Sequence, residues 1–208
     1  MTGQMHDQFR LRGELLALVG HSVRWQFHPE LFGLEPREAS TACWRGYLAV
    51  FGLSGSRLVL EELHINLPGP GGGNQRKEGP LIDGIRPTGP EEGEGFLHGP
   101  TTTMAYVAFE GFNNHYVGMN HHLAYTGGLL IGENLITGLY VHQGFQPAWK
   151  FETVIELIFE DGVLRRECNR SRQMAEIREW KVGSNRGLFL AGEPLPDDLA
   201  QLLGSYWL

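Results

Sequence analysis

With 208 residues, 41% of them hydrophobic and 11% aromatic, the chain carries enough apolar surface for one sizeable core, and 20% charged residues read as globular rather than disordered. Seventeen Lys and Arg stand against 24 Asp and Glu, a net charge of −7, so the phosphate neutralisation that nucleic-acid and anionic-membrane binding require is not provided for. The N-terminal residues 1–12 hold no apolar signal-peptide core, and no apolar stretch nears the roughly 20 residues of a bilayer span. Together with only two, widely separated cysteines, Cys43 and Cys168, this predicts a cytoplasmic protein with buried structural thiols.

In chain order, residues 11–19 read as a first strand. Residues 42–53 are aromatic and aliphatic, end in Ser54-Gly55-Ser56, and lead into residues 57–65; two such runs around a short Gly-bearing turn predict a hairpin. Strict alternation puts Leu58, Leu60, Glu62 and His64 on one face of the second run and Val59, Glu61, Leu63 and Ile65 on the other. Residues 66–100 hold ten Gly and six Pro. They are expected to form a loose surface excursion or a lid, tacked down by Ile82, Ile85, Phe96 and Leu97. Residues 104–109, 129–131 and 135–142 add strands. Residues 152–160 and 163–167 flank Asp161-Gly162, the strongest short-range hairpin signal in the chain. Residues 169–180 fit a helix, with Met174, Ile177 and Trp180 at three-residue spacing, and also fit a strand. Residues 196–204 predict a helix, with Pro at its start, two Asp in the first turn and Gly204 at its end. The sum is a mainly β single domain over residues 1–208, an antiparallel sandwich or partly open barrel of about eight to ten strands with a short C-terminal helix.

Nucleotide motifs fail. Asn74 stands where the run Gly69-Pro70-Gly71-Gly72-Gly73 needs its next glycine for either a P-loop or a dinucleotide fingerprint. A nucleophile elbow over Gly52 to Ser56 misses its last glycine by one position, and strands flank it on both sides. Neither cysteine belongs to a paired motif.

The histidines carry more. Residues 113–122 hold three of the nine histidines, His115, His121 and His122, a set that suits a metal or a general base. Along a strand His115 and His121 lie about 20 Å apart, and neighbouring His121 and His122 face opposite sides, so one metal needs a tight loop or ligands from elsewhere. His64, His142 and Glu110 are such ligands by type. Glu152, Glu156 and Glu160 share a strand face and are expected to be solvated, since neighbours at about 13 Å are too far apart for an acid/base pair. The aromatics mostly fill a core, and Tyr106, Tyr140 and Trp149 are candidates to line a ligand pocket.

Two stretches resemble a family of small bacterial β-rich proteins of unknown function: Cys43-Trp44-Arg45-Gly46-Tyr47 running to Arg57-Leu58-Val59-Leu60, and Tyr125-Thr126-Gly127-Gly128-Leu129 running through Gly144-Phe145 to Asp161-Gly162-Val163. The resemblance covers about half of the chain, implies a β fold, and brings no activity. The expected function is a non-enzymatic binding domain for a small apolar ligand or a protein partner. Two alternatives stand beside it: a metal-dependent or histidine-based enzyme using His115, His121 and His122, and an inhibitor or immunity-type protein whose acidity suits a basic partner. The sequence leaves any cofactor unknown, none being one possibility, and edge strands make a homodimer a further expectation.

Overall fold

The computed structural model describes residues 2–25, 27–69, 77–89, 111–185 and 195–206. The strand expected over 104–109, together with Tyr106, Glu110, Phe96 and Leu97, lies outside the described residues. Eight described strands form one mixed sheet: β1 (Gln8–Leu11), β2 (Glu14–His21), β3 (Tyr47–Ser54), β4 (Arg57–Ile65), β5 (Asn114–His122), β6 (Gly127–Leu135), β7 (Phe151–Glu160) and β8 (Val163–Asn169). Two helices follow, α1 (Ser171–Asn185) and α2 (Asp197–Gly204). Among the described residues no helix is long and apolar enough to cross a membrane.

Tight turns set the hairpins. Asp161 (φ 48°) and Gly162 (φ 72°) both take positive φ, as the Asp-Gly signal requires. Gly162 also seats this turn against the rest of the barrel: a Cβ there would lie 2.2 Å from the Leu123 carbonyl oxygen. The single strand expected over 11–19 is instead the β1–β2 hairpin, turned by Arg12 (φ 54°) and Gly13 (φ 89°). An arginine in the left-handed region is a weak signal, and the reading missed it. Residues 42–46 precede β3 as a turn, and residues 135–142 form no strand beyond Leu135 but a short 3-10 turn at Thr137–Leu139.

The sheet runs β3-β1-β2-β6-β7-β8-β4-β5 and returns on itself through the β3–β4 pairing. All strand pairs are antiparallel except β1–β3, which joins Gln8 to Val50 and Phe9 to Phe51 in parallel. On the far side β4 meets β8 at one residue pair, Arg57 and Val163, and β5 takes the rest of that edge of β4. The architecture is therefore a barrel open along one seam.

Aromatic and aliphatic side chains fill the interior, with Phe9, Phe51, Leu60, Leu63, Leu129 and Phe159 among those fully buried. A second core lies outside the barrel. Of residues 169–180, Asn169 ends β8 and the stretch from Ser171 on is helix, and Met174 and Ile177 of α1, with Leu195 and Leu199, bury Val19, Leu130 and Val154 of β2, β6 and β7. Each such side chain is worth roughly 1.5–3 kcal/mol when fully buried. This layer corrects the reading of β7 as a strand with a solvated acidic face. Glu152 and Glu160 are exposed, but Glu156 is only 4% exposed; it accepts hydrogen bonds from Arg170 (2.8 and 3.0 Å) and the Tyr206 hydroxyl.

The N-terminal segment is clasped by His6. Its Nδ1 lies 3.0 Å from the Leu18 carbonyl oxygen, and its Nε2 accepts a hydrogen bond from the Gln146 amide at 3.1 Å. Both bonds suit the neutral ring protonated on Nδ1, and burial pushes its pKa down to about 4. The unfolded chain, with an ordinary histidine pKa near 6.5, therefore binds the extra proton between about pH 6.5 and 4, and the His6 share of stability is lost as pH falls through that window. Urea unfolding of the native chain and of His6→Gln, each at pH 7 and pH 5, checks this. The native chain is expected to lose about 2 kcal/mol more than the variant over that interval.

Candidate functional site

The polar centre of the barrel's outer surface begins with a register slip. Val50 of β3 pairs with Glu62 and the next residue, Phe51, pairs with Leu60, so Glu61 is an extra residue in β4. Leu58 and Leu60 point inward before the bulge, and Leu63 and Ile65 point inward after it. This corrects the strict alternation read from the sequence: Glu62 and His64 do not share the face of Leu58 and Leu60 but turn outward. Gly52 makes room for the result, because the Glu61 carboxylate occupies the place a Cβ at residue 52 would need. Arg10, on β1 across β3, donates to Glu61 at 2.9 Å and to Glu62 at 2.6 Å.

From there a chain of polar contacts runs across to β5. Glu62 Oε2 lies 3.1 Å from His64 Nε2, and His64 Nδ1 lies 2.8 Å from His115 Nδ1 of β5. His64 is buried beside the Phe112 ring, and β4–β5 pairing sets His64 opposite His115. The hydrogen bond from His64 is the foremost cause that holds the Glu62 carboxyl below its ordinary pKa, with Arg10 adding to it. An ionised Glu62 only accepts, so His64 must carry a proton on Nε2. A proton then lies between the two Nδ1 atoms. Neutral His64 accepts it from His115, and imidazolium His64 donates it to His115. The arrangement is a hydrogen-bonded chain, called the relay below, from carboxylate through two imidazoles. An open groove of about 390 Å³ lies over its outer end, lined by Arg10, Glu61 and Glu62 with Val59, Val117 and Met119.

The structure keeps the three predicted histidines apart. His115 joins the relay, while His121 bonds to Asp83 Oδ2 at 2.7 Å and packs edge-on against Phe32. His122 is exposed at the end of β5. Between His115 and His121 the strand bulges, with Gly118 at φ 76°, and β5 advances from Val117 to His121 while β4 advances from Glu62 to Leu60. Among the described residues no three His, Cys, Asp or Glu side chains converge to hold a metal ion. His142 stacks edge-on with Tyr140 at 4.9 Å instead of joining the other histidines. Sequence reasoning missed Arg10, and it considered Glu62 only as a strand residue. Glu61-Glu62 directly after an apolar alternation is the signal that could have marked the bulge.

The other predicted ligand residues lie elsewhere. Tyr140 is 37% exposed and covers Gly3, and Trp44 (55%) and Val141 (46%) are exposed as well. The N-terminal segment ties these together: Gln4 bonds through its amide to the Gly144 carbonyl and through its side chain to the Trp44 amide. Trp149 packs against the second core under the helices.

In the fully neutral relay His115 must hold its proton on Nδ1, the less common imidazole tautomer. Long-range ¹⁵N–¹H correlation at about pH 8, where an ordinary histidine is neutral, is expected to show Nδ1–H for His115 and Nε2–H for His64; Nε2–H on both rings would leave two lone pairs facing each other and contradict the relay. No protein-family model matches the chain, and no match is found among curated proteins or solved structures.

Proposed function

We propose that the chain is a non-enzymatic binding domain that engages a protein partner, with Trp44, Tyr140 and Val141 at the centre of its contact surface. The observation that carries this reading is where the apolar groups are. The barrel holds its own aromatics: Trp25 packs edge-on against Phe51 (4.9 Å) and Tyr125 (5.0 Å), and Phe27 against Phe51 (5.3 Å). A small apolar ligand is thereby left to surface clefts. The Trp44 and Tyr140 rings, in contrast, are partly in solvent on backbone stapled by hydrogen bonds, and Trp and Tyr are the residues that most often anchor protein interfaces. A net charge of −7 favours a basic partner. Two unpaired cysteines, Cys43 and Cys168, support a reducing, cytoplasmic setting.

A second reading, general-base chemistry, is favoured by the Glu62–His64–His115 relay, which has the makings of a proton shuttle. The tautomer measurement is its first test.

Photo-crosslinking in the cells that express the chain tests the binding reading. A photoreactive phenylalanine in place of Trp44 is expected to yield one discrete adduct with another protein. The same group in place of Glu160 should yield none, and Tyr140→Ala should lower the Trp44 adduct about tenfold. Equal adducts at both positions would overturn the reading, and an adduct of the chain with itself would assign the surface to a homodimer instead.

A further inference from the structure

Trp149 is the residue at which two unlike environments meet. On one side it borders a cleft of about 120 Å³ whose walls include Val19, Leu130, Ala148, Met174 and Leu202. A cavity near this size with aliphatic walls takes a group as large as one benzene ring. The same indole has cations close to its ring. The Lys150 ammonium lies 5.4 Å from its ring centroid, and the Lys181 ammonium lies 5.7 Å from it. Arg178 donates to the Trp149 and Phe151 carbonyl oxygens at 2.8 and 2.6 Å and so brings a third positive charge to the same turn.

In a chain with net charge −7, none of Lys150, Arg178 and Lys181 forms an ion pair among the described residues. Lys150 is 5% exposed, and its ammonium donates to the neutral Gln146 Oε1 at 2.9 Å. Burying an ammonium without an opposite charge is costly, and here burial lowers the Lys150 pKa from its ordinary value. An anion bound nearby would relieve that cost. Arg178 is committed to backbone carbonyls and Lys150 lies beneath the surface, so partly exposed Lys181, also close to Trp180, is the cation a ligand meets first.

We propose that Trp149 marks a binding site for a small amphipathic acid, an aryl or short alkyl carboxylate. Its apolar body enters the cleft beside the indole and its carboxylate faces Lys181, with Lys150 and Arg178 adding to the local positive field. The site lies under α1 and α2, and Gln146 Oε1, which accepts from both Lys150 and the Val141 amide, joins it to the segment that carries Tyr140 and Val141.

Benzoate and the uncharged benzyl alcohol, titrated separately into the full chain, separate the contributions of shape and charge. The readout is the Trp149 indole N–H resonance, assigned with Trp149→Phe. Benzoate is expected to move that resonance and to saturate in the low millimolar range. Benzyl alcohol should bind at least about fivefold more weakly. Lys181→Gln should remove the preference for benzoate, and Lys181→Arg, which keeps the charge, should retain it. Added salt should weaken benzoate and leave the alcohol unchanged. The proposal is overturned if both compounds bind equally, if Lys181→Gln binds benzoate as the native chain does, or if benzoate leaves the resonance in place up to about 10 mM.

Discussion

The extra residue in β4 at Glu61 governs the polar half of the barrel's surface. A strand's side chains alternate with a period of two, so one inserted residue exchanges the faces of everything after it. Without it, Glu62 and His64 would continue the inward row of Leu58 and Leu60, placing a carboxylate and an imidazole in a core built from Phe51, Leu129 and Phe159. Burying a charge there without a partner would cost several kcal/mol. With it, Leu63 and Ile65 take the inward positions, and the two polar groups meet Arg10 and His115 outside. Gly52 is part of the same arrangement, since any side chain on β3 at that point would collide with the Glu61 carboxylate.

The ion pairs that result are about placement more than stability. Arg10 keeps a third of its side chain in solvent, and pairs of that kind contribute about 1 kcal/mol or less. What they accomplish is to hold Glu62 ionised and aimed at His64 Nε2, which requires a proton on that nitrogen. A hydrogen-bonded network at low exposure is costly to leave half satisfied, so each member constrains the next.

The two outer surfaces of the barrel are finished differently. α1 and α2 cover β2, β6 and β7, and under them Glu156 is neutralised by Arg170 and bonded to Tyr206. At the β3–β4–β5 side, Phe112 and Cys43 with Leu48 and Val50 form only a small apolar cluster, and the groove beside the relay stays open. The helix-covered side accordingly holds enclosed apolar space beside cations, while the other side presents hydrogen-bonding groups to solvent.

Local chemistry was legible from the residues alone. Asp161-Gly162 announced a hairpin because few other dipeptides take positive φ twice, and residues 196–204 announced a helix through Pro, paired Asp and Gly at its ends. The alternation of apolar residues settled the mainly β class, and the spacing of Met174 and Ile177 held the helical face that later proved buried. The sequence also showed that His115 and His121 stand too far apart along a strand to share one metal. Tertiary structure alone decided the rest. Whether 171–180 became helix depended on an uncovered sheet face to pack against. Whether Glu156 was solvated depended on the two helices above it. Whether Glu62 and His64 faced core or surface depended on a one-residue slip against a strand that pairs only after the chain has folded back, and no local pattern records that partner.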